Sequence, residues 1–142
     1  VKITADQAKN GQTVSDVTGL VFALTSGQLY RFSFYVVYRT GTATVGPRIT
    51  VTHPGATVFA AAVEVSGFGA DAAAADWHGA ITTSGDEVVP TAVVATNTDF
   101  IAKIEGVILP SASGNLQVRV GNETNTNNIT VRNGSNGLLW TL

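Results

Sequence analysis

Between residues 30 and 38 every second position is large and apolar: Tyr30, Phe32, Phe34, Val36 and Tyr38. Arg31, Ser33, Tyr35 and Val37 stand between them. Successive side chains of a strand point to opposite faces, so this alternation predicts one long strand with a committed core face. Leu20, Phe22 and Leu24 repeat the pattern upstream, and Thr25-Ser26-Gly27-Gln28 has turn chemistry. The pair predicts a β-hairpin.

The same period recurs downstream. Ile49 and Val51 alternate with Arg48, Thr50 and Thr52 until His53-Pro54-Gly55 ends the run, because proline removes a ladder donor and glycine takes turn dihedrals. Phe59, Ala61, Val63 and Val65 share a face over residues 57–65. Residues 66–75 hold two glycines and then four consecutive alanines, and read as a connection with room for one helical turn. Short strands are expected at 77–83 and 87–89, around a turn at 84–86 and closed by Pro90.

A long strand over 100–109, a turn at 110–114 and a strand with Leu116, Val118 and Val120 inward predict a second hairpin. Residues 121–128 are a polar loop, 129–132 alternate again, and 133–137 are a turn. The last five residues, Leu138 to Leu142, form an apolar strand expected to be buried in a sheet or an interface. Trp140 is therefore read as core or subunit interface, and Leu142 as interface. The expected fold is all-β: a jelly-roll-like antiparallel β-sandwich of about eight to ten strands. Residues 1–16 have little apolar content and are expected to be an N-terminal arm or edge strand, with the sandwich over 17–142. No self-similar period suggests a propeller or solenoid.

The chain has 142 residues, one domain's length, enough to bury roughly 70% of its unfolded surface in a single core. Only 13% of residues are Asp, Glu, Lys or Arg, against about 25% in an ordinary soluble domain. So low a charge content, with Ala, Val, Thr and Gly abundant, predicts that part of the surface is covered by other copies. Eight basic against ten acidic residues leave no basic stripe for phosphates, so nucleic acid is not an expected partner. No apolar run reaches about 18 residues, so no membrane insertion is expected. With no Met and Val at position 1, the chain is expected to be processed or part of a longer one.

Candidate chemistry is sparse. The absence of Cys excludes a thiol nucleophile and disulfides. His53 and His78 are isolated in sequence, and Asp71, Asp76 and His78 are the only loosely grouped ligand types, so no metal or cofactor is expected. Glu64 and Glu105 lie within strands; two facing carboxylates would suit glycoside hydrolysis, but the expected place for each is the solvent-facing or interface side of its strand, paired with Arg or Lys across the sheet. No nucleophile elbow or phosphate-binding loop occurs. Asn122, Asn128 and Asn133 open Asn-x-Ser/Thr triplets within an Asn- and Thr-rich region that makes chance matches expected. Trp77, with its neighbours Asp76 and His78, is the candidate contact for a sugar or receptor, since an exposed indole can stack on a pyranose ring.

The wording of the strands adds one resemblance. Residues 19–39 (GLVFALTSGQLYRFSFYVVYR), 46–51 (GPRITV), 104–119 (IEGVILPSASGNLQVR) and 129–135 (ITVRNGS) resemble a β-domain of virion proteins of tailed bacteriophages. That domain occurs in tail-fibre and other surface structural proteins, and the likeness runs from about residue 18 to the end. It implies a jelly-roll-like module, assembled as a homotrimer on the outside of the particle, in contact with capsid or tail proteins and, in a fibre, with host-surface glycan. It carries no active-site residues, and residues 56–90 contribute nothing to it. The expected function is a non-enzymatic structural protein of a phage particle, as capsid decoration or receptor-binding tail-fibre domain. A carbohydrate-binding β-sandwich module is the alternative, and an enzyme would need an undetected site around Glu64, Glu105 or Asp76.

Overall fold

The computed structural model of the chain describes residues 1–66, 77–90, 92–93, 95–125 and 128–142. Ten strands and no helix occur among them: β1 (Gln7–Asn10), β2 (Ser15–Leu24), β3 (Tyr30–Thr40), β4 (Pro47–Thr52), β5 (Ala56–Val65), β6 (Trp77–Ile81), β7 (Phe100–Pro110), β8 (Gly114–Asn122), β9 (Asn128–Val131) and β10 (Asn136–Thr141). The antiparallel β-sandwich predicted from the alternation is what the chain forms. A seven-stranded sheet has the order β1-β9-β3-β7-β5-β6, with β10 also paired to β3. A three-stranded sheet has the order β2-β8-β4.

Both predicted hairpins are instead arches. β2 pairs with β8 and β3 with β7, so each short connection carries the chain from one sheet to the other. The apolar faces of β2 and β3 therefore meet across the core rather than side by side, with the Phe22 and Phe34 ring centroids 5.0 Å apart. The two arches brace each other. Ser26 N–H donates to Ser113 Oγ, Ser26 Oγ donates to the Ser111 carbonyl, and Gly27 N–H donates to the Pro110 carbonyl at 2.8 Å.

Tyr30, Phe32, Phe34, Val36 and Tyr38 are all buried, as the alternation requires. Two glycines on neighbouring strands make room for the rings. Gly106 lies opposite Phe32, and a Cβ there would stand 2.5 Å from the Ala60 carbonyl oxygen and 2.6 Å from the Phe32 ring. Gly137 lies opposite Phe34, and its Cβ would stand 2.5 Å from that ring. The small sheet contributes Val17, Leu20, Phe22, Leu24, Ile49, Val51, Leu116, Val118 and Val120 from its inward face.

Within the first sixteen residues, β1 is an edge strand on β9, Ile3 is buried, and Ser15 and Asp16 already belong to β2. Lys9 is buried with Nζ donating to the Asp16 carbonyl at 2.5 Å, and desolvation lowers its pKa against the opposing pull of the Asp16 charge. The expected strand at 87–89 reduces to a single bridge between Val88 and Ile49. Apart from Ser66, the connection at 66–75 lies outside the described residues.

Candidate functional site: the outer face of the large sheet

Because side chains alternate, inward Phe32 and Ile104 imply outward Arg31, Ser33, Tyr35, Lys103 and Glu105. The register lines these up in rows across β10, β3, β7 and β5. One row is Trp140, Arg31, Val107 and Ala60; the next is Leu138, Ser33, Glu105 and Ala62; the third is Asn136, Tyr35, Lys103 and Glu64. β6 continues the last two rows with Ala80 and His78.

This face exposes large apolar side chains beside its polar ones. Leu138 is 53% exposed, Trp140 41%, Ile101 47% and Val58 46%, and Leu29 and Leu142 lie exposed where β3 begins and β10 ends. Exposed alanines at 60, 62 and 80 continue it towards β6. The topography is uneven. β10 stands up as a ridge of Leu138 and Trp140, while alanines on β5 and Gly106 and Val107 on β7 floor a shallow depression of about 430 Å3 that also takes in Arg31 and Glu105. Contiguous exposed apolar surface of this kind marks a contact site.

The charges on the face are few and unevenly partnered. Lys103 Nζ lies 3.2 Å from Glu105, and that hydrogen bond, with the Glu105 and Glu64 charges, raises the Lys103 pKa. Arg31 has no carboxylate within ion-pair distance among the described residues; its guanidinium stands 5.5 Å over the Trp140 ring, a cation–π contact. Glu64 has no cation within ion-pair distance among the described residues, although Lys103 and His78 flank it in register.

The residues singled out from sequence are placed differently from one another. Trp77 and His78 are consecutive on β6 and so point to opposite faces. Trp77 sits opposite buried Val65, half-buried and packed against the core, with Nε1 buried and unpartnered among the described residues. His78 is exposed on the outer face opposite Glu64. Asp76 and Asp71 lie outside the described residues. Trp140 is not core: it and Leu142 lie exposed on the same outer face. Glu64 and Glu105 also share that face, one row apart, rather than opposing each other across a cleft. No group of three or more His, Asp or Glu residues that could hold a metal ion occurs among the described residues.

Sequence reasoning did not single out Val58, Ala60, Ala62, Ile101 or Val107. A signal was present on β5, where outward Val58, Ala60 and Ala62 lack the polar half of the alternation that a solvated outer face would carry. Compared with known protein families, curated proteins and solved structures, the chain matches none.

Proposed function

We propose that this chain is a non-enzymatic structural module that works as an assembly of its own copies. The observation that carries the reading is the exposed apolar outer face of the large sheet, with its ridge on β10 and its alanine floor on β5. At about 4.8 Å between strands and about 3.3 Å per residue, that face presents roughly 650 Å2 per copy. A specific interface needs about 500 Å2 a side. A ridge on one side and a depression on the other suit a heterologous contact, in which each copy's ridge enters the next copy's depression; such contacts form a ring when the rotation between copies closes and a filament when it does not.

Three copies are the expected ring, and the specific role we propose is that of a virion-surface protein of a tailed bacteriophage, as capsid decoration or tail-fibre domain. The likeness of residues 19–39, 46–51, 104–119 and 129–135 to such proteins supports it, as does the low charge content. The carbohydrate-binding alternative loses the residue on which the sequence placed it, since Trp77 is turned to the core side; the exposed aromatics of the outer face are Trp140 and Tyr35. Light scattering on the eluting peak of a sizing column tests the assembly: a mass of three chains at micromolar concentration supports it, and a single-chain mass overturns it.

A further inference from the structure

We infer that Arg31 of one copy forms an ion pair with Glu64 of the neighbouring copy, and that this pair sets the register in which the outer faces meet. The inference rests on the self-association reading and names the polar contact within it.

Among the charged groups on the outer face of the large sheet, these two lack an ion pair among the described residues. Of the five arginines, Arg39 pairs with Asp99, Arg48 with Glu87, Arg119 with Asp16, and Arg132 with Asp6 and Asp99. Of these arginines Arg31 alone lacks a carboxylate within ion-pair distance among the described residues, and it stands between Trp140 and Val107 on the outer face. Glu64 is its counterpart. The cation directly opposite it, Lys103, is already held by Glu105.

Arg31 and Glu64 cannot satisfy each other within one copy. β7 lies between their strands, and Ala60, the residue of β5 in line with Arg31, is four positions from Glu64. With strands about 4.8 Å apart and residues rising about 3.3 Å, the two lie roughly 16 Å apart on the face. Their positions fit the topography instead. Arg31 lies beside the Leu138–Trp140 ridge, and Glu64 lies on the β5 side beside the alanine floor. A movement that seats one copy's ridge in the next copy's depression brings Arg31 to the neighbour's β5–β7 side, where Glu105 is held by Lys103 and Glu64 is not held among the described residues. The apolar surround desolvates the pair, where an unpaired charge is penalised and a matched one fixes orientation.

The test is a charge exchange on the whole chain, with association followed by sedimentation velocity and folding by circular dichroism. R31E and E64R should each weaken association by about tenfold or more, because each leaves like charges facing across the contact. The double variant R31E/E64R should recover most of that loss. Both sites are on the outer face, so all three variants should keep the wild-type β-sheet spectrum. Single variants that associate like the wild type overturn the inference, as does a double variant no better than the singles. A monomeric wild type overturns the self-association reading and this inference together, whereas an associating wild type indifferent to both substitutions overturns the ion pair alone.

Discussion

The outer faces of the two sheets differ although one core lies beneath both. On the three-stranded sheet the outward positions are polar and their charges are matched. Asp16 and Arg119 are 3.0 Å apart, Arg48 and Glu87 2.5 Å apart, and Thr18, Thr50, Thr52, Asn115 and Gln117 fill most of the remaining outward positions. On the seven-stranded sheet exposed Leu138, Trp140, Ile101, Val58, Ala60, Ala62 and Ala80 stand among polar Ser33, Tyr35, Lys103, Glu105, Asn136 and His78, with Arg31 and Glu64 unmatched among the described residues. An antiparallel sheet with one solvated face shows clean alternation of apolar and polar residues. β8 obeys that rule and β5 departs from it. The contrast teaches that the small sheet is finished as a surface, while the large sheet is built to be covered.

The comparison assigns folding to the inward positions and assembly to the outward positions of the large sheet. The sharpest contrast is Phe34→Ala against Ile101→Ser. Phe34 is fully buried, and its removal should cost about 3–5 kcal/mol in a denaturant titration. Ile101 is outward, and its replacement should leave monomer unfolding within about 0.5 kcal/mol while weakening association. Equal losses of folding stability would break the division. Next in size is Gly106→Ala, which places a methyl group against the Ala60 carbonyl and the Phe32 ring and should cost about 1–3 kcal/mol by the same titration. An unchanged midpoint would show that β7 can shift away.

On the small sheet, Gln117 Nε2 donates to the carbonyls of Val17, Leu20 and Val118, spanning the bulge in β2. Gln117→Ala should cost about 1–2 kcal/mol of folding stability and leave association unchanged. A change in association would mean that the small sheet also meets a neighbour.

The smallest effect concerns the 82–86 turn, where Ser84 and Gly85 bond to His53 and Val51 and so tie β6 to the end of β4. The Asp86 carboxylate accepts hydrogen bonds from the hydroxyl and N–H of Thr83 and then of Thr82, which lower its pKa to about 2. A carboxyl with a depressed folded-state pKa stabilises the fold fully above its unfolded value near 4, and loses that contribution as pH falls through the folded value. An NMR titration should therefore give a midpoint of about 2 for Asp86, and Thr83→Val should move it upward. A midpoint near 4 in the native protein would show that these bonds do not form.

Much of the inner architecture was legible because the period-two signal is strong where one face is buried. Tyr30 to Tyr38, Leu116 to Val120 and Phe59 to Val65 all declare their inward sides. What the alternation cannot declare is which sheet a strand joins. A hairpin and an arch share the same signature of two alternating strands and a short turn, and differ only in whether the apolar faces lie side by side or face to face. The residue that separates them here is remote: Ser26 bonds to residues 111 and 113, a contact between distant turns. The bulge in β2 had a local sign, Gly19 at a φ of 92° between Val17 and Leu20, three positions apart where an even strand would give two. The candidate site was half legible. Trp140 reads from the sequence as core or interface and Leu142 as interface, and both are exposed, but Val58, Ala62 and Ile101 passed as ordinary strand residues because their neighbours satisfied the inward pattern.

The chain contains no cysteine, so one thiol can be placed on either sheet with matched alanine replacements. Ala62 is exposed on the outer face of the large sheet and Ala23 on that of the small sheet. The rate at which Ala62→Cys and Ala23→Cys react with a thiol reagent, followed against protein concentration, asks directly which face is covered. We expect Ala62→Cys to be protected at micromolar concentration and freed by dilution, with Ala23→Cys reacting quickly throughout. Equal, concentration-independent rates at both positions would contradict the account.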